Sequence, residues 1–151
     1  MKSTQAQAAA MIRAELKKNG IAAKVRSDCG SMMTSVDVDL VDPLPALKEQ
    51  VKRFVSRFQY GSFDPMQDLY EVSNRDESIP QVTFATVNVR YSDELRQAAW
   101  EYARNYFGMD DEPELVTGAT SWHADQWLDQ VLNGEAGHFW SDRKPRVRAA
   151  A

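Results

Sequence analysis

The stretch TSVDVDLVD, residues 34–42, constrains the fold more than any other part of the chain. Val36, Val38 and Leu40 alternate with Ser35, Asp37 and Asp39. Successive side chains of a strand point to opposite faces, so this segment carries one apolar face and one polar face. The preceding IAAKVRSD, residues 21–28, alternates in the same way, with Ile21, Ala23 and Val25 against Ala22, Lys24 and Arg26. The turn formers between them, in CGSMM, make an antiparallel hairpin the economical reading.

Helical spacing flanks that hairpin. Over residues 4–18, Ala8, Met11, Ile12 and Leu16 form a stripe, and Arg13, Lys17 and Lys18 lie off it. KKNG ends the helix with cations in the last turn and then Asn19 and Gly20 for a left-handed cap. DPLP breaks the second strand and opens another helix, with Asp42 or Leu44 near its cap and Pro45 in the first turn. Leu47, Val51, Phe54, Val55 and Phe58 form its stripe, with Lys48, Lys52, Arg53 and Arg57 over much of the rest. QVTFATVNVRY, residues 81–91, is the strongest strand by composition. Ser92 is placed to cap a helix over 93–107, with Asp93 and Glu94 in its first turn. Leu95, Ala98, Ala99, Tyr102 and Tyr106 mark its apolar face. A last helix is expected over 121–133, ended by Asn133 and Gly134, and Phe139 and Trp140 are candidate anchors in the tail. The fold class expected is α+β: a small, mainly antiparallel sheet in the order α-β-β-α-β, packed by helices, with a C-terminal two-helix extension.

The chain has 151 residues, which suits a domain over residues 1–91 followed by a helical extension with a basic tail over 92–151. Its single cysteine, Cys29, allows no intrachain disulfide, which fits a reducing cytosol. No apolar run approaches a membrane span, and the first residues lack the apolar core of a signal peptide. A cytoplasmic location in a bacterial host, with no membrane partner, is therefore the expectation. Charge is polarised along the chain: the balance is +4 over residues 1–60, −11 over 61–140 and +3 over 141–151. Such asymmetry bears on partners rather than on fold.

One stretch resists assignment to an ordinary loop. GSFDPMQDLYE, residues 61–71, holds turn formers together with Phe63, Met66, Leu69 and Tyr70. The structural reading makes Phe63 and Tyr70 plugs in the core, with Asp64 or Asp68 capping a short helical turn. The functional reading makes Asp64, Asp68 and Glu71 a recognition patch on one face of that turn. The spacing lacks the ligand pattern of a calcium loop.

This stretch also carries a family resemblance. Gly61, Ser62, Phe63, Asp64, Met66, Asp68, Leu69, Tyr70 and Glu71 form its sharpest part. Ile12, Arg13, Glu15, Leu16, Lys17 and Lys18 contribute from the first helix, and Val25, Arg26, Ser27, Ser35, Val36, Asp37 and Val38 from the two strands. Together, over about residues 8–90, they resemble a large polyvalent protein-associated domain of phage and plasmid proteins. Pro65 stands where the family pattern has a glycine, so the turn type is open. The resemblance implies a small protein of a mobile element. By association it implies an anti-defence role, such as inhibition of a restriction or CRISPR system. It carries over no catalytic residue.

The residues themselves bring no catalytic constellation together. His123 and His138 are the two histidines, and HExxH, GxSxG and a phosphate-cradling glycine loop are all missing from the sequence. Cys29 lies near Arg26 without an assignable base. No cofactor and no metal are expected, and the chain reads as a non-enzymatic binding protein. Its partner-binding candidates are Asp110, Asp111, Glu112 and Glu114, with Trp122 and Trp127 as anchors. These would meet a basic surface on a host defence effector. The alternative is a nucleic-acid-binding accessory module using Lys48, Lys52, Arg53 and Arg57. The bland reading of both sets is a solvated charged surface.

Overall fold

The structure, a computed structural model, describes residues 1–108, 128–141 and 143. Its elements run α1 (Thr4–Lys18), β1 (Lys24–Cys29), β2 (Thr34–Val41), α2 (Pro45–Ser56), β3 (Gly61–Asp64), β4 (Leu69–Val72), β5 (Phe84–Arg90) and α3 (Asp93–Phe107). The chain is α+β, as the patterning implies. Met1–Arg90 gather into one compact unit, and the described residues from Tyr91 onward gather into a second.

In the first unit, β1, β2 and β5 form a three-stranded sheet in that order. β1 pairs antiparallel with β2, from Lys24↔Asp39 to Cys29↔Thr34. β5 pairs parallel with β2, from Ser35↔Phe84 to Val41↔Arg90. The larger sheet is thus mixed, and its parallel half was not expected. Parallel neighbours need a long crossover, and residues 42–83, with α2 and a second small sheet, provide one. Val36, Val38 and Leu40 are all buried, so the alternation read from the sequence places the core correctly. Val25 of β1, Ile12 and Leu16 of α1, and Val51, Val55 and Phe58 around α2 complete that core.

The start of β1 differs from the sequence reading for a local reason. β1 begins at Lys24 rather than Ile21 because the cap of α1 reaches further than expected. Gly20 adopts a φ of 69°. Its N–H donates to Lys17 O (3.1 Å), and the Ile21 N–H donates to Leu16 O (2.9 Å). This double closure seats Ile21 against the core as the apolar partner of the cap. In α1 itself Ala9 is buried while Met11 is exposed, so the stripe is Ala8, Ala9, Ile12 and Leu16. Leu44, not Asp42, is the N-cap of α2, and Pro45 opens the helix where no N–H is needed.

In the second unit, α3 follows its capping chemistry. The Ser92 side chain accepts from Leu95 N at 3.3 Å, and Gly108 closes the helix in the left-handed region. Leu95, Ala99 and Ala103 pack with Val131, Leu132, Ala136 and Phe139. Residues 128–132 are helical, and Trp140 Nε1 donates to the Val131 and Leu132 carbonyls that end that segment. Phe139 is therefore core and Trp140 is a cap. Among the described residues, no helix is long and apolar enough to cross a membrane.

A candidate protein-contact hairpin

The stretch GSFDPMQDLYE folds as a hairpin, not as a helical turn. β3 and β4 pair antiparallel, with Gly61↔Val72, Ser62↔Glu71, Phe63↔Tyr70 and Asp64↔Leu69. The turn between them follows from three residues. Asp64 Oδ1 accepts from Met66 N at 2.8 Å. Pro65 supplies the fixed φ that such a turn favours. Asp68 takes a φ of 51°, a conformation that Asp tolerates better than most residues. Asp68 thus supplies the positive φ, and Pro65 needs no glycine in its place. Asp64, Asp68 and Glu71 share no helical face, so that part of the recognition reading is corrected.

The base of the hairpin is tied to β5. The Tyr70 hydroxyl donates to Thr83 O at 2.7 Å. Its ring meets Tyr60 and Phe84 edge-on, with centroids 5.4 and 5.8 Å away. Burial pushes the Tyr70 phenol above its ordinary pKa, and neighbouring Tyr60 adds to this, while the Gly61 backbone pulls the other way. Gln59 braces the same corner: its Nε2 donates to Gly61 O (2.7 Å) and its Oε1 accepts from Ala85 N (2.9 Å). Thr34 and Thr83 exchange bonds between each backbone N–H and the other's hydroxyl, at 3.3 and 3.2 Å. Gly61 is buried so tightly that a Cβ would overlap the Glu71 carbonyl and the Tyr70 ring.

Apart from Tyr70, the apolar side chains of the hairpin are exposed. Phe63 is 47% exposed, Met66 92%, Leu69 49% and Val72 55%. Phe63 is therefore not a core plug. It is paired directly with Tyr70, but the ring contacts with Tyr60 and Phe84 are made by Tyr70. Sequence reasoning missed Gln59, Thr34 and Thr83 altogether. Nothing in their spacing marks them, because their bonds span as many as 49 positions of the chain.

The other candidates divide. Lys52, Arg53 and Arg57 are exposed on α2 and its end. Lys48 is only 7% exposed, because it falls three and seven positions before Val51 and Val55, on the buried stripe. The four cations therefore do not form one solvated face. Asp110, Asp111, Glu112, Glu114, Trp122 and Trp127 lie outside the described residues.

Residues 3–99 match a known family, Large polyvalent protein associated domain 29. The chain belongs to that family. No curated protein and no solved structure matches it. The match runs past Arg90 into α3, so this large polyvalent protein associated domain takes in more of the chain than the resemblance over residues 8–90. Membership marks the chain as a phage- or mobile-element-associated protein. The hairpin lies wholly within the matched span.

Proposed function

We propose that this domain is a non-enzymatic binding protein of a phage or plasmid that inhibits a host defence complex by protein–protein contact, in the cytoplasm of the bacterium. The carrying observation is the hairpin: four large apolar side chains exposed within twelve residues, on a base that is firmly held. Concentrated exposed apolar surface of this kind marks contact sites. The defence target is supported by the mobile-element association. The acidic segment with Asp110, Asp111, Glu112 and Glu114 would add a negative field that steers the chain toward a basic effector, with Trp122 and Trp127 as anchors.

The test is plating efficiency. Bacteria carrying a restriction or CRISPR system are challenged with a phage that the system excludes, with and without the full chain. Plating should recover with the chain, and Met66→Ser with Leu69→Ser should abolish the recovery. The nucleic-acid alternative would replace this reading under a different result. The chain would then bind DNA or RNA with steep salt dependence, and Lys52→Glu, Arg53→Glu and Arg57→Glu together would remove the effect while the hairpin variant kept it.

A further inference from the structure

We infer that the β3–β4 hairpin docks as a tongue into a groove of a partner protein, apolar along its floor and walls and lined with Lys or Arg at its rim. This rests on reading the hairpin as the contact element and adds what kind of surface receives it.

The shape argument comes from the register. Directly opposed residues of an antiparallel pair share a face. Phe63 therefore shares one face with Tyr70, and Leu69 shares the other with Asp64. Both Phe63 and Leu69 are about half exposed, and Met66 stands almost fully exposed in the turn between the strands. A flat partner would cover Phe63 or Leu69, not both. A groove with two walls covers both and receives Met66 at its floor.

The charge argument comes from what surrounds those side chains. Residues 61–72 contain Asp64, Asp68 and Glu71 and no Lys or Arg. Asp68 and Glu71 are exposed. Carboxylates around an apolar tip are matched by cations around an apolar groove. The same charges disfavour other occupants. In a two-fold contact between copies the same patch faces itself, which would set these carboxylates against each other. Phosphate-rich nucleic acid and anionic lipid would meet the same repulsion.

The tip is also preorganised. The Asp64–Met66 bond sets the turn, and Tyr70 with Gln59 fixes the base. Little ordering is then left to do on docking, which is where much affinity is otherwise lost.

Photo-crosslinking in the living host tests this. A photoreactive residue replaces Phe63, Met66 or Leu69 in turn in the full chain, and crosslinked peptides are identified by mass spectrometry. All three positions should reach one protein. Phe63 and Leu69 should reach different segments of it, apolar and flanked by Lys or Arg. Asp68→Asn with Glu71→Lys takes the hairpin from three net negative charges to none, while keeping Asp64 and a residue that tolerates positive φ. This variant should keep its urea midpoint and lose about tenfold in crosslink yield. Crosslinks to a second copy of the chain, to lipid or to nucleic acid overturn the inference. So do crosslinks to an acidic or flat surface, an unchanged yield in the charge variant, or no crosslink at all. The outcome separates from the inhibitor reading. A basic-rimmed groove on a protein outside any defence system sinks inhibition but not docking. Recovered plating with a silent hairpin sinks docking but not inhibition.

Discussion

The three-stranded sheet and the β3–β4 hairpin use similar residues for opposite ends. In β2, alternation turns Val36, Val38 and Leu40 inward, and all three disappear into the core beneath α1 and α2. In the hairpin, pairing sets Phe63 beside Tyr70, yet only Tyr70 finds cover. Periodicity states which side a side chain takes. It does not state whether anything covers that side. The sheet has helices over its apolar face, whereas the hairpin has support at its base alone. An isolated two-stranded hairpin is marginal in water, so its base must be held by something other than its own apolar tip.

The largest effect expected on this contrast is in the sheet. Leu40 is 1% exposed at the centre of the larger core. Leu40→Ala should destabilise the first unit by about 2–5 kcal/mol, through lost transfer energy and the cavity left behind. Urea denaturation followed by far-UV circular dichroism measures it. A loss comparable to that of a surface substitution would mean that β2 does not carry the core.

Next comes the junction between the two regions. Gly61 has no room for a methyl group against the Glu71 carbonyl and the Tyr70 ring. Gly61→Ala should therefore cost about 1–3 kcal/mol, since overpacking forces backbone to shift. Protein NMR should show the disturbance concentrated at β3, β4 and Tyr60. A spectrum unchanged there would show that the hairpin base is looser than its contacts imply.

Tyr70→Phe is smaller. It deletes the hydroxyl bond to Thr83 O and keeps the ring packing, so a loss of about 0.5–1.5 kcal/mol is expected. It also has a pH signature. The folded-state pKa of Tyr70 is raised, mainly by burial. The stabilising contribution is therefore complete below the unfolded value near 10, and it is lost as pH rises through the folded pKa. Urea midpoints measured from pH 8 upward should fall more steeply for the parent than for Tyr70→Phe. Equal slopes would remove Tyr70 as the titrating anchor.

How far the sequence carried the fold depends on the range of the interaction involved. α3 was readable to its ends because Ser92, Asp93 and Glu94 act within one turn. The β1–β2 hairpin was readable because its strands are adjacent and alternate. The parallel pairing of β5 was not, since strand direction is set by the path of residues 42–83 rather than by anything in residues 84–90. Lys48 shows a signal misread: its spacing matched Val51 and Val55, but its charge suggested solvent. The hairpin itself was half legible. Pro and Asp between two short apolar runs marked a turn, while the aromatic content suggested burial that only Tyr70 achieves. The acids and tryptophans of the expected partner surface lie outside the described residues.

The smallest stability effect belongs to the tip, and it is where the contrast is sharpest. Phe63 is nearly half exposed, and its neighbours toward the turn are polar or themselves exposed. Phe63→Ser should change folding stability by no more than about 0.5 kcal/mol, as at other surface positions away from caps and networks. Under a purely structural account of GSFDPMQDLYE the same substitution would resemble a core truncation and cost several times more. Function should move the other way. An aromatic that is excluded from the core but seated in a partner's pocket is the kind of residue that dominates binding energy. Plating recovery should therefore fall sharply with Phe63→Ser and persist with Tyr70→Phe, although the latter is the less stable protein. A large loss of stability with Phe63→Ser would return the residue to the core. Unchanged stability together with unchanged plating would leave the hairpin tip without a part in contact, and would shift attention to the acidic segment around Asp110.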